Sequence, residues 1–239
     1  MAFYSTEAFI LKKDICDEKD NIYHFFTRDF GKLNLLAKGT RDILAKLAGH
    51  LEMPALVNIT FSLDQRSKLI TALEQNPYLN IKHHSSTLST AFKIGELVDD
   101  LTITNQKDSE LFKLIFDVLY FLDNNIDKSL KIAEFGWFYF EAQFLKLLGY
   151  GPFLEGCVHC GASETNHFSF RDRGLVCSKH YHPDDLALTS NQRKTLKFLF
   201  DAPLAKINSL SLINEILKEK KFLEALLSKF TLVVKSDII

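Results

Sequence analysis

Asn21–Ala37, N-I-Y-H-F-F-T-R-D-F-G-K-L-N-L-L-A, decides the reading of the N-terminal part of the chain. Asn21–Thr27 is rich in β-favouring residues, Asp29-Phe30-Gly31 punctuates, and Lys32–Ala37 alternates apolar with polar. Two such runs joined by a few turn residues that include glycine read as a hairpin. Working outward, Thr6–Leu11 (TEAFIL) precedes the hairpin across a charged turn, and Val57–Phe61 and Leu69–Leu73 follow it. Five short strands within about 75 residues suit a small closed β-barrel such as an OB-fold. Arg41–His50, between the third and fourth strands, reads as a short helix closing one end.

Past Pro77 the texture changes. Glycine and proline become scarce from Ser89 to Tyr150, and a 3.6-residue period takes over. Ser109 is the expected N-cap of a helix over 110–123. Residues 130–148 predict a second helix, with Ile132, Phe135, Phe138, Ala142 and Leu145 on one stripe and Gly149 as its C-cap. Glu134 and Glu141 are expected on its exposed side, and Trp137 and the phenylalanines in the core. Thr189 with Gln192 predicts a capping box for a helix through Phe200, and helical stretches follow over 211–219 and 222–230. The 239 residues thus divide into a barrel at 1–80, a helical domain at 81–150 and 184–239, and a glycine-rich insert at 151–183.

The insert carries Cys157-Val-His-Cys160 and, after a sixteen-residue spacer, Cys177-Ser-Lys-His180. Each tight turn supplies two ligands, and two such turns complete the tetrahedron of a structural zinc ion. Three of the four cysteines lie here, and Cys16 stands alone. No secretory signal is expected at the N-terminus, so the pairs read as a metal site rather than a disulfide. His182 is an alternative fourth ligand and His159 a weaker one. A closed four-ligand site holds a fold and leaves no open position for chemistry. His50-Leu51-Glu52 with the Cys157 turn superficially matches a zinc deaminase. Gly156 stands where that motif has proline, and the halves lie over a hundred residues apart, so His50 and Glu52 read as loop residues.

The net charge of -1 gives no bulk attraction to nucleic acid, so any such binding needs a local basic face. Arg28, Lys32, Lys38, Arg41 and Lys46 fall within nineteen residues, with Arg66 and Lys68 later. Lys32 and Lys38 share strand parity. Phe25, Phe26 and Phe30 lie nearby, as base-stacking surfaces or as core. Arg171, Arg173, Lys179, Arg193, Lys194 and Lys197 form a second scatter around the insert. No phosphate loop, nucleophile elbow or dinucleotide fingerprint occurs. No run is long and apolar enough to suggest a membrane span.

The run Phe26–Arg41 (FTRDFGKLNLLAKGTR), with Lys46–Leu51 (KLAGHL), Phe144–Pro152 (FLKLLGYGP) and the two cysteine turns in that order, resembles the RecO family of bacterial recombination-mediator and DNA-repair proteins. The resemblance covers nearly the whole chain and is firmest at 6–51 and 144–180. It implies an α+β multidomain protein: an N-terminal OB-fold barrel, then an α-helical domain carrying a zinc-finger-like insert. It implies binding to single- and double-stranded DNA, annealing of complementary strands, and work with RecR to load recombinase onto strands coated by single-strand binding protein. The family is not enzymatic, and a cytoplasmic, nucleoid-associated protein is expected. Carried onto this chain, Arg28, Lys32, Lys38, Arg41 and Lys46 become the expected DNA contacts, with Cys157, Cys160, Cys177 and His180 on one structural zinc. Asp42-Ile-Leu-Ala45 replaces the denser basic run of many relatives. A zinc-bearing protein–protein adaptor whose barrel does not bind DNA is the rival reading.

Overall fold

The hairpin at Asn21–Ala37 forms with Thr27 as its corner. The Thr27 hydroxyl donates to Gly31 O at 2.8 Å and accepts from Phe30 N at 3.0 Å. Gly31 has φ +67°, and a Cβ there would stand 1.9 Å from Gln106 O, so only glycine fits. The computed structural model describes residues 2–18, 20–39, 48–63, 67–125, 129–207 and 209–238.

Strands β1 (Phe3–Ile15), β2 (Asn21–Thr27), β3 (Gly31–Ala37), β4 (Leu56–Ser62) and β5 (Lys68–Asn76) close into a barrel in the order β1-β2-β3-β5-β4. All neighbours are antiparallel except β3 and β5, which meet in parallel at Leu36 opposite Lys68. Alternation places Ile10, Phe25, Leu35, Ile59 and Phe61 inside, all buried. Each strand falls where the apolar pattern predicts, within a few residues at its ends. Of the expected helix at 41–50, only Ala48–His50 is described, as a single 3₁₀ turn; the rest lies outside the described residues.

Helices α1 (Leu79–His83), α2 (Ser85–Leu101) and α3 (Ser109–Asn124) cover the β1 side of the barrel. Phe9 meets Phe112 with ring centroids 4.8 Å apart. Gly95 lets α2 come so near β1 that a Cβ would lie 2.6 Å from Leu11 O. The connector between α2 and α3 lies along the hairpin: Asn105 N donates to Lys32 O at 2.9 Å. The cap of α3 is Asp108 rather than Ser109. Its carboxylate reaches the N–H groups of both Glu110 and Leu111, which a hydroxyl one residue later does not.

The described chain forms two compact units, 1–133 and 134–239. Helix α4 (Ser129–Leu147) runs through the division. Its predicted stripe is buried throughout. Gly149, at φ +83°, ends it, with Tyr150 N donating to Leu145 O at 2.8 Å. Glu141 is buried rather than exposed and accepts from the Thr231 hydroxyl at 2.8 Å. Glu134 pairs with Lys220 at 2.7 Å. The insert forms a small sheet of β6 (His167–Ser169), β7 (Gly174–Val176) and β8 (Leu186–Ala187), with β6 central. Three helices follow: α5 (Ser190–Asp201), α6 (Leu210–Leu217) and α7 (Lys220–Ile238). The Thr189–Gln192 capping box is present. The C-terminal run LVVKSDI continues α7 instead of leaving it. Among the described residues no helix is long and apolar enough to cross a membrane.

Candidate nucleic-acid interface and metal centre

The barrel cations fall into two groups by their surroundings. Arg28 pairs with Glu7, and its guanidinium lies 5.3 Å from the centre of the Phe112 ring. Lys32 donates to Asp99 O at 2.5 Å and lies 3.4 Å from the Asp99 carboxylate, with its side chain only 12% exposed. Asp99 also receives His24 Nδ1 at 2.9 Å, and His24 Nε2 faces Asp14 at 3.1 Å. Arg28 and Lys32 are thus engaged inside the first unit, where they tie the barrel to α2 and α3. Lys38, at the other end of β3, is exposed and has no partner among the described residues. Lys68, half-buried on β5, also has none among them. Arg41, Lys46 and Arg66 lie outside the described residues.

Phe25 and Phe26 are buried and cannot present a face to a base, so the core alternative holds for them. Phe30 is half-buried, edge-on to Phe61 at 5.3 Å between centroids. Among the described barrel aromatics Phe3 is the most exposed, at 60%, with Tyr4 next at 38%. Its position at the start of β1, ahead of the firm TEAFIL pattern, gave no sequence signal.

The cations around the insert are mostly engaged. Arg171 pairs with Asp172, Arg173 with Asp237 and Lys197 with Glu155. Arg193 donates to the carbonyls of Ser163 and Thr165. Lys179 and Lys194 are exposed.

The insert brings Cys157, Cys160, Cys177 and His180 together, their ligand atoms all within 4.8 Å of one another. Cys160 Sγ and Cys177 Sγ are 3.8 Å apart. His180 Nδ1 stands 3.5 Å from Cys157 Sγ and 3.3 Å from Cys177 Sγ. Zinc–ligand bonds of about 2.3 Å to sulfur and 2.0–2.1 Å to nitrogen imply tetrahedral edges of about 3.8 and 3.5 Å. The four residues therefore fit an ion of that size, and His180 Nδ1 is the nitrogen turned toward it. His182 is turned away, its ring against Asp184 at 3.4 Å, and His159 faces Asp172 at 3.2 Å.

The loop favours thiolates. Burial opposes the charged form of Cys157, but N–H groups of Cys177, His159 and Cys160, with the His180 ring, outweigh it and bring the thiol down to about 5. The Lys179 N–H lowers Cys177. The bond from His180 to Cys157, then that to Cys177, raises the imidazole. At Cys160 the Ala162 N–H favours the thiolate, but burial and the neighbouring sulfurs prevail and raise it. A divalent ion relieves that crowding by taking the charge of all three sulfurs.

A barrel followed by helices with a four-ligand insert is matched along the chain by two family models. Recombination protein O N terminal matches residues 1–76, and Recombination protein O C terminal matches 84–230. The chain belongs to the RecO family. Similar proteins named DNA repair protein RecO include that of Syntrophus aciditrophicus, 30% identical over 94% of this chain and 89% of its own. That of Caldanaerobacter subterraneus is 30% identical over 90% and 85%. That of Dehalococcoides mccartyi is 28% identical over 90% and 85%. The RecO-family N-terminal domain is the OB-fold barrel expected from the hairpin outward, and the family assigns the chain to DNA repair and recombination.

Proposed function

We propose that this chain binds single- and double-stranded DNA, anneals complementary strands, and works with RecR to load recombinase onto strands coated by single-strand binding protein. The observation that carries the reading is an OB-type barrel with Lys38 and Lys68, both without a partner among the described residues, near its β3–β5 seam, in a chain of the RecO family. Lys38, with Arg41 and Lys46 in the segment that follows β3, is the proposed phosphate contact. Arg28 and Lys32 act by ordering the barrel against α2 and α3. The reaction is physical. Cations replace the counterions of two strands, the strands are held close, and base pairing follows. The proposed metal is one structural zinc on Cys157, Cys160, Cys177 and His180, which cross-links the two turns of the insert and takes no part in a chemical step.

The test is annealing of complementary fluorescent oligonucleotides, bare and coated with single-strand binding protein, with and without RecR. Lys38→Glu/Arg41→Glu is compared with the unaltered protein across a salt series. Salt-sensitive acceleration lost in the variant is expected. No acceleration by a folded protein under any of these conditions sinks the reading in favour of the adaptor.

A further inference from the structure

Strand register places an exposed aromatic ring beside the unpartnered cations. Phe3 of β1 is opposite Ser62 of β4, Ser62 is opposite Lys68 of β5, and Lys68 is opposite Leu36 of β3. At about 4.8 Å per strand, Phe3 lies about 10 Å from Lys68 and about 14 Å from Leu36 along this line. By strand parity all four lie on the outer side, since Tyr4 turns in against Phe61 and Leu69, Leu35 and Ala37 are buried in the barrel; Phe3 is exposed there, Leu36 and Lys68 are half-buried, and Ser62 between them is buried. Lys38, two residues on and just past the end of β3, is exposed. The seam is tight here, with Leu36 N donating to Ser67 O at 3.0 Å.

The outer face of the barrel is therefore polarised. At the seam end lie Phe3, a small Ser62, and two lysines without a carboxylate partner among the described residues. Farther along β1, on the same outer side, stands Glu7, held by Arg28. Leu73, also exposed, is opposite Asn58, which is opposite Glu7, so it belongs to the acidic part. An aromatic face flanked by free cations matches one polymer, a single strand with unstacked bases and one charge per phosphate. A duplex offers the phosphates but keeps its bases stacked.

Resting on the reading of the barrel as a DNA-binding module, we propose that Phe3 and Lys68 extend that site across β1 and β5. Phe3 stacks a base of single-stranded DNA, and Lys68 holds a phosphate between it and Lys38. Neither residue belongs to the hairpin, and Lys68 lies across the β3–β5 seam from it, so the strand crosses the seam instead of running along β3 alone.

The experiment measures anisotropy of labelled oligothymidylate and of an abasic strand of equal length, about twenty nucleotides, at about 50 mM salt. Wild-type protein is expected to prefer the strand with bases. Phe3→Ala is expected to lower affinity for oligothymidylate on the order of ten-fold, to leave the abasic strand unchanged, and to keep the salt slope. Phe3→Tyr restores the preference. Lys68→Gln weakens both strands alike and reduces the salt slope by about 0.7. If oligothymidylate binds the unaltered protein and Phe3→Ala keeps the full preference, the proposal is overturned while the function stands. An unchanged salt slope in Lys68→Gln overturns the placement of that lysine. Should neither strand bind the unaltered protein, function and proposal fall together. An exposed Phe3 then belongs to a protein contact.

Discussion

Lys32 on β3 and Lys38, one residue past its end, share sequence parity and have opposite surroundings. Lys32 bonds the backbone and carboxylate of Asp99, and Lys38 faces solvent without a partner among the described residues. Lys32→Ala is expected to lower stability by about 1–2 kcal/mol, because it removes a charged partner of the half-buried Asp99 and leaves it only His24. Lys38→Glu is expected to leave the denaturant midpoint nearly unchanged and to weaken DNA binding. Equal midpoints for the two variants would refute this division. Their shared parity was legible in the sequence. Their partners were not, since Asp99 comes from a helix 67 residues away and no local pattern announces it. The same holds for Phe25 and Phe26, adjacent on β2 yet both buried: Phe25 is in the barrel core, and Phe26 is opposite Phe9, which meets Phe112 of α3. Asp29 gives a pH test. A hydrogen bond from Thr6, with Lys107 nearby, holds its carboxyl below the ordinary range. A depressed folded value stabilises above the unfolded value of about 3.9 and ceases to do so as pH falls through the folded one. Asp29→Asn should therefore be less stable than wild type at neutral pH, with the gap closing in acid. A gap constant down to about pH 2 would contradict the linkage.

Among the elements, those whose signals are local were read correctly. Barrel strands alternate, α5 carries its capping box in four consecutive residues, and α4 carries its stripe and terminal glycine. The cap of α3 was misplaced by one residue because Asp108 and Ser109 are both good caps in sequence. Only the backbone shows which of them reaches two N–H groups. Asp108→Ala should cost about 1 kcal/mol, measurable as a shifted urea midpoint, and Ser109→Ala much less. The sheet of the insert was not legible, since three-residue strands have too few positions to show a period. These strands depend on what surrounds them. Phe168 and Phe170 seat on Phe230 of α7 at 5.7 and 5.6 Å, and Lys229 covers Phe170 at 3.9 Å. If the proposed metal cross-links the two cysteine turns, its removal would leave that aromatic seat as the hold on the insert. Hydrogen exchange after chelation should show lost protection over β6, β7 and the part of α7 around Phe230, with β1–β5 unaffected. Protection unchanged in the insert would mean that the metal holds nothing there.

For the whole molecule the governing fact is charge. A net of -1 spread over 29 basic and 30 acidic residues gives no long-range field to draw in a polyanion. Association must then depend on the few cations without partners, and its salt dependence counts them. Three phosphate contacts from Lys38, Arg41 and Lys46 on a single strand give a slope of log affinity against log salt of about -2. Lys68 would steepen it to about -3. Raising salt from about 50 to 200 mM should then weaken binding roughly 20-fold on three contacts and roughly 50-fold on four. A slope near -7, with losses on the order of ten-thousand-fold, would require about ten contacts. That number would bring in Arg28, Lys32 and the basic residues of the insert, and would mean that their present ion pairs open when DNA binds. The slope in Lys38→Glu separates the two cases. With few contacts one variant removes a large share of the slope, and with many it removes little. A shallow slope in the unaltered protein, cut visibly by that single change, is the outcome expected from a near-neutral chain that holds DNA through a few barrel cations.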